Sequence, residues 1–146
     1  MKVPYLSIVR EEPTFEYGTN SLLGPDDVVG LVGQITDTEH RECFIAVALD
    51  VKHRVLGVHV GSIGTLDRAS VHPREVFLPM IMAQSAACIV AHNHLSGDPE
   101  PSAAYIKVTD RLKDAGKLLG IKVLDHIIVC PKHVYSFIRG EVTKRL

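Results

Sequence analysis

The sequence predicts an α/β fold, a single mixed β-sheet flanked by helices on its faces. Three observations predict it. Short apolar runs bounded by turn residues recur at 42–50, 55–63, 86–90 and 123–129, each of strand length. Segments with apolar residues at helical spacing alternate with them, around 25–35, 73–85 and 102–119. The first two strands are joined by only the turn at 51–54, which reads as a hairpin, so the sheet is not purely parallel.

Each element has a local cause. Residues 3–9 read as a short edge strand, with Pro4 near the start where a missing N–H is tolerated. The polar stretch 11–20 reads as a loop or arm, so the chain divides into an N-terminal arm at 1–24 and one domain at 25–146. Pro25, Asp26 and Asp27 suit a first helical turn, where proline has no N–H to lose and acids favour the positive end of the dipole. Val28, Leu31, Val32 and Ile35 then follow on one face, and Gly30 and Gly33 suggest close packing against a neighbour. The stretch 64–72 reads as loop or short strand. Pro73 opens a second helix to about Ser85, with Val76, Phe77, Met80, Ile81 and Gln84 on its partly apolar face. Ser102 is placed as N-cap or first-turn residue of a long third helix, and Gly120 as its stop. The stretch 134–138 reads as a last short strand or turn.

A length of 146 residues with 46% hydrophobic residues is enough for one domain with its own core. A net charge of −1 and 5% aromatic residues argue against a nucleic-acid surface built on bulk positive charge. Lys107, Arg111, Lys113 and Lys117 read as a solvated helix face. The three cysteines, Cys43, Cys88 and Cys130, form no C-x-x-C pair and lie in or beside apolar runs, so they read as buried free thiols in a reducing compartment. No stretch has the length of a membrane span, and Met1 to Tyr5 do not begin a signal peptide, so the expected location is cytoplasmic.

The chemistry concentrates at 91–102, Ala-His-Asn-His-Leu-Ser-Gly-Asp-Pro-Glu-Pro-Ser. His92 and His94 leave a buried strand two residues apart, so they share one face and are able to grip one metal ion. The loop that follows leaves the site within reach of a substrate. Glu42 opens a buried strand, where desolvation raises a carboxylate's proton affinity, and is the candidate general base. An ordinary acid at a strand edge is the competing reading.

This segment resembles the His-Asn-His-Pro-Ser-Gly…Pro-Ser signature of the RadC-like proteins, members of the JAB/MPN superfamily that carries the JAMM metalloprotease motif. Ser62 to Leu66, Val71 to Phe77 and Leu124 to Val129 agree with the same family, in order. The resemblance implies a JAB/MPN-like, cytidine-deaminase-like three-layer arrangement. It implies that His92 and His94 ligate one zinc ion, that Glu42 activates the water, and that Ser102 stabilises the oxyanion. The implied reaction is zinc-dependent hydrolysis of an amide or isopeptide bond in a peptide substrate. The family's helix-hairpin-helix-like N-terminal domain has no counterpart in a chain of this length.

The sequence departs from the pattern at two positions. Leu95 replaces the usual proline, and Tyr105 occupies the position of the third ligand, an aspartate. Catalytic zinc takes three protein ligands and keeps one position open, and a phenol with a pKa near 10 is a poor substitute at neutral pH. Three roles are open to Tyr105: a ligand, a hydrogen-bond partner of a metal-bound water, or a ring that fills the pocket. Asp98, Glu100 and Asp125 are conceivable substitute carboxylates, while Asp110 points elsewhere along the helix. Asp125 and His126 read as structural. Three functions follow: a JAMM-type zinc hydrolase impaired at Tyr105, a catalytically inactive module that binds or assembles with a protein partner, or the DNA-repair association that the family name implies.

Overall fold

The computed structural model describes residues 24–64 and 71–145. The expected strand at 3–9, the arm at 11–20 and most of the loop at 64–72 lie outside the described residues. The elements run α1 (Pro25–Thr36), β1 (Cys43–Leu49), β2 (Val55–Ile63), α2 (Pro73–Met82), β3 (Ala87–Asn93), α3 (Ala103–Leu119), β4 (Lys122–Val129), β5 (His133–Ser136) and β6 (Glu141–Lys144). The six strands form one sheet in the order β2-β1-β3-β4-β5-β6. Only β3 and β4 are parallel, and α3 makes the crossover between them. The other neighbours are antiparallel, including the expected β1–β2 hairpin. This is the mixed α/β sheet that the alternating pattern predicts.

Strand alternation sorts the core into two layers. Ile45, Val47 and Leu49 of β1, with Ile89 and Ala91 of β3, pack with Val28, Leu31 and Val32 of α1. Phe44, Ala46 and Ala48, with Cys88 and Val90, pack with Phe77 and Met80 of α2 and Val108 and Leu112 of α3. One helix therefore covers one face and two helices cover the other. Both central strands are buried along their whole length, which explains their continuous apolar runs.

The helix signals are in place. Ser102 Oγ accepts from Tyr105 N–H at 3.2 Å, capping α3, and Gly120 ends it in the left-handed region at φ 73°. Gly33 answers the expectation of close packing: a Cβ there would lie 2.8 Å from Arg145 Nη2, whose guanidinium pairs with both Asp37 oxygens. Among the described residues, no helix is long and apolar enough to cross a membrane.

Two expectations need correction. The second helix stops at Met82, not near Ser85. Met80 O takes both the N–H and the hydroxyl of Ser85, Gln84 adopts φ 56°, and Ala86 N–H bonds Leu49 O, so the chain is already turning into β3. Ile81 is consequently half-exposed and Gln84 lies beyond the helix. A sixth strand, Glu141–Lys144, follows the expected last one. Its residues are mostly exposed at a sheet edge, so it carries no alternating apolar signal.

Candidate functional site

Register builds the site. Phe44 of β1 pairs with His92 of β3, and Glu42 lies two residues before Phe44, just outside the paired run. The side chain of Asn93 ties the two strand ends together. Its Oδ1 accepts from Cys43 N–H at 2.7 Å, and its Nδ2 donates to Arg41 O at 3.1 Å. Glu42 is half-buried there, and its carbonyl accepts from Gly64 N–H at 2.7 Å. On the other side, Val90 pairs with His126 of parallel β4, which brings His126 diagonally under His92 on the α3 face.

His92 is fully buried and half-buried His94 follows it. Their Nε2 atoms are 3.0 Å apart. His92 Nδ1 and His126 Nε2 share a 2.8 Å hydrogen bond, and His126 Nδ1 lies 2.6 Å from Thr109 Oγ1. The Thr109 hydroxyl donates to Tyr105 O at 2.7 Å, one turn back on α3. At the other end, His94 Nδ1 bonds Asp98 O at 2.9 Å. The result is a continuous chain of hydrogen bonds from the surface loop into the interior.

Aromatic rings hold this chain in place. Tyr105 lies flat on His92, with centroids 4.0 Å apart and planes within 16°, and presents its edge to His94 at 5.7 Å. Phe137 stacks on His126 at 4.6 Å. Each such ring pair contributes about 1 kcal/mol beyond its burial. Burial, then neighbouring His126 and His94, push the proton affinity of His92 well below its ordinary value. Burial, then His94 and Lys113, lower His126 to about 3. Both rings are neutral at physiological pH.

The sequence-derived candidates divide accordingly. His92, His94 and Tyr105 come together at the end of β3, while Glu42 lies just before β1 and exposed Ser102 is engaged in the cap of α3. The substitute carboxylates do not join them. Asp98 offers its carbonyl to His94, while its Oδ1 accepts from Glu100 N–H. Asp125 is buried with its oxygens accepting from His126 N–H, Ser136 Oγ–H and Ile138 N–H. Asp110 is exposed, away from the site. His126 and Thr109 are the members that sequence reasoning missed. Thr109 carries a signal, being four residues after Tyr105 on the same helix face. The strand offset that aims His126 at His92 carries none.

Two imidazole nitrogens on a tetrahedral zinc ion are separated by roughly 3.3 Å, so the 3.0 Å pair at His92 and His94 converges as two ligands of one ion do. The third donor is missing. A neutral aromatic ring is stacked where the aspartate belongs, and among the described residues no three His, Cys, Asp or Glu side chains converge to hold an ion. The residues present do not fit a three-ligand zinc centre. The cysteines offer no thiolate either: burial pushes Cys43 and Cys130 up to about 11 and Cys88 to about 12.

A family model described as the RadC-like JAB domain matches residues 22–143. A UPF0758 protein of Desulforudis audaxviator is 50% identical over 105 residues, covering 72% of this chain and 46% of that protein. A UPF0758 protein of Alkaliphilus metalliredigens is 48% identical over 112 residues, 77% of this chain and 48% of its own. One from Methanosarcina barkeri is 45% identical over 120 residues, 82% and 52% respectively. The chain thus spans about half the length of the curated relatives it matches.

Proposed function

The chain belongs to the RadC-like JAB domain family, and from that premise we propose that it is a member that binds or assembles with a protein partner rather than hydrolysing amides as a zinc enzyme. One observation carries the reading: Tyr105 is stacked on His92 at the position of the third ligand. A two-histidine site loses the affinity that a carboxylate supplies, and it loses the fixed geometry with one open position that zinc hydrolysis requires.

A protein or peptide partner suits the surroundings. Leu95, directly after His94, and Ile106, directly after Tyr105, are both about half-exposed, at 50% and 45%. A DNA-repair association draws no support from α3. Its exposed Lys107, Arg111 and Lys117 alternate with exposed Asp110 and Asp114, which does not make a phosphate-binding stripe. Three buried free thiols fit a reducing, cytoplasmic setting.

A second reading, an impaired JAMM-type hydrolase, is favoured by the convergence of the two Nε2 atoms, 3.0 Å apart. Metal analysis separates the two. The purified chain is stripped with chelator, reloaded with zinc and desalted, beside a Tyr105→Asp variant. The binding-module reading expects zinc to stay with the variant and leave the parent. Stoichiometric zinc on the parent contradicts it and returns Glu42, Ser102, His92 and His94 to the roles that the family pattern implies.

A further inference from the structure

The two edges of the described sheet, β2 and β6, are unlike. β6 is four residues long, mostly exposed, and carries Glu141 and Lys144, so it is as short and charged as a solvent-facing edge needs to be. β2 runs for nine residues, Val-Leu-Gly-Val-His-Val-Gly-Ser-Ile, without Lys, Arg, Asp, Glu or Pro. Among the described residues it has a strand neighbour on one side only, β1. Val55 to Val60 are half-buried, and Val55, Val58 and Val60 sit at the border of the α1 core layer. A long, uncharged, apolar edge is a template for another strand.

The sequence of β2 points to which strand. It reads nearly the same in both directions from His59: Val58 matches Val60, Gly57 matches Gly61, and Val55 matches Ile63. Two antiparallel copies related by a two-fold axis join each residue to the one equally far beyond the axis. With the axis at His59, valine meets valine and glycine meets glycine. Charge agrees, since no fixed charges face each other on this edge and a net charge of −1 leaves two copies little to repel. The ladder around the axis is unbroken: Gly57 to Val60 pair in step with Ala48 to Ile45, and the irregularities of β2 lie outside that run. We propose that the chain self-associates through β2, which pairs antiparallel with β2 of a second copy about a two-fold axis at His59, so that the two sheets become one. This goes beyond the histidine site: β1 lies between β2 and the strand that carries His92.

Sedimentation of the whole chain and oxidative crosslinking test it. The unaltered chain is expected to show a monomer–dimer equilibrium. His59→Cys sets two thiols opposite each other across the axis, with Cα atoms about 4.5–5.5 Å apart, within disulfide reach. The native cysteines are buried. Diamide is expected to link His59→Cys into a dimer through position 59 and to leave Val142→Cys, at the other edge, monomeric. His59→Glu and His59→Lys each place like charges on the axis and are expected to weaken the dimer about tenfold or more. An equimolar mixture of the two is expected to restore it, which a folding defect would not allow. A chain that stays monomeric up to millimolar concentration, no crosslink at position 59, a crosslink at position 142 instead, or no restoration in the mixture would overturn the proposal. The same results are expected in chelator and in zinc, so zinc uptake by the parent would sink the proposed function and leave the dimer standing.

Discussion

Asp125 and His126 are adjacent on β4, both buried and both fully hydrogen-bonded, yet they are opposite kinds of buried polar residue. Asp125 accepts from two backbone N–H groups and a serine hydroxyl that have nowhere better to donate. Its bonds run one way, and they pin the turn after β5 to the central sheet. The bonds of His126 go to other side chains, His92 Nδ1 at 2.8 Å and Thr109 Oγ1 at 2.6 Å. A buried carboxylate ringed by donors is a fixed anchor, whereas a buried imidazole between two groups that can each donate or accept takes its donor and acceptor roles from them.

The sharpest way to break this comparison is Asp125→Ala. It leaves Ser136 Oγ and Ile138 N–H without their acceptor, so urea unfolding is expected to show a loss of roughly 3–5 kcal/mol. A loss below about 1 kcal/mol removes the anchor role.

Acid comes next. Folded His126 takes its proton only near pH 3, while the unfolded imidazole takes one near its ordinary value of 6.5. Between those values the unfolded chain binds more protons. Stability is therefore complete above about pH 6.5 and falls as pH is lowered, by up to roughly 1.4 kcal/mol per pH unit from this group. His92 adds a loss of the same sign. His126→Leu is expected to lower stability at pH 7 by about 1–2 kcal/mol and to flatten the acid limb. An unchanged acid limb in that variant contradicts the burial argument.

Tyr105→Asp, measured in chelator, is expected to lose about 1 kcal/mol of ring stacking on His92. Smallest is Arg145→Ala. Its pair with Asp37 sits at the edge of the α1 layer, with Asp37 58% exposed, and is expected to be worth at most about 1 kcal/mol. A larger loss would make this edge contact rival the buried clusters.

Most of the fold was legible because its signals are local. Continuous apolar runs marked β1 and β3, Pro25 and Ser102 marked helix starts, and Gly120 marked a stop. Edge strand β6 was not, since an edge buries too little to impose alternation. The same division holds at the site. The two-residue spacing of His92 and His94 placed them together, and the family pattern pointed to Tyr105 as their neighbour. His126 was read as structural along with Asp125 because its role depends on the diagonal offset between parallel strands. That offset is set by the bulge where Cys88 pairs Val123 and Ile89 pairs Asp125.

The central claim is that Tyr105 leaves this chain without a three-ligand zinc centre. The most direct measurement is the thermal unfolding midpoint of the parent chain in chelator and in millimolar zinc, with Tyr105→Asp alongside. A site with micromolar affinity adds about 4 kcal/mol at that concentration, raising the midpoint by roughly ten degrees or more. The account predicts such a rise for the variant and none for the parent. A rise of that size in the parent would contradict it.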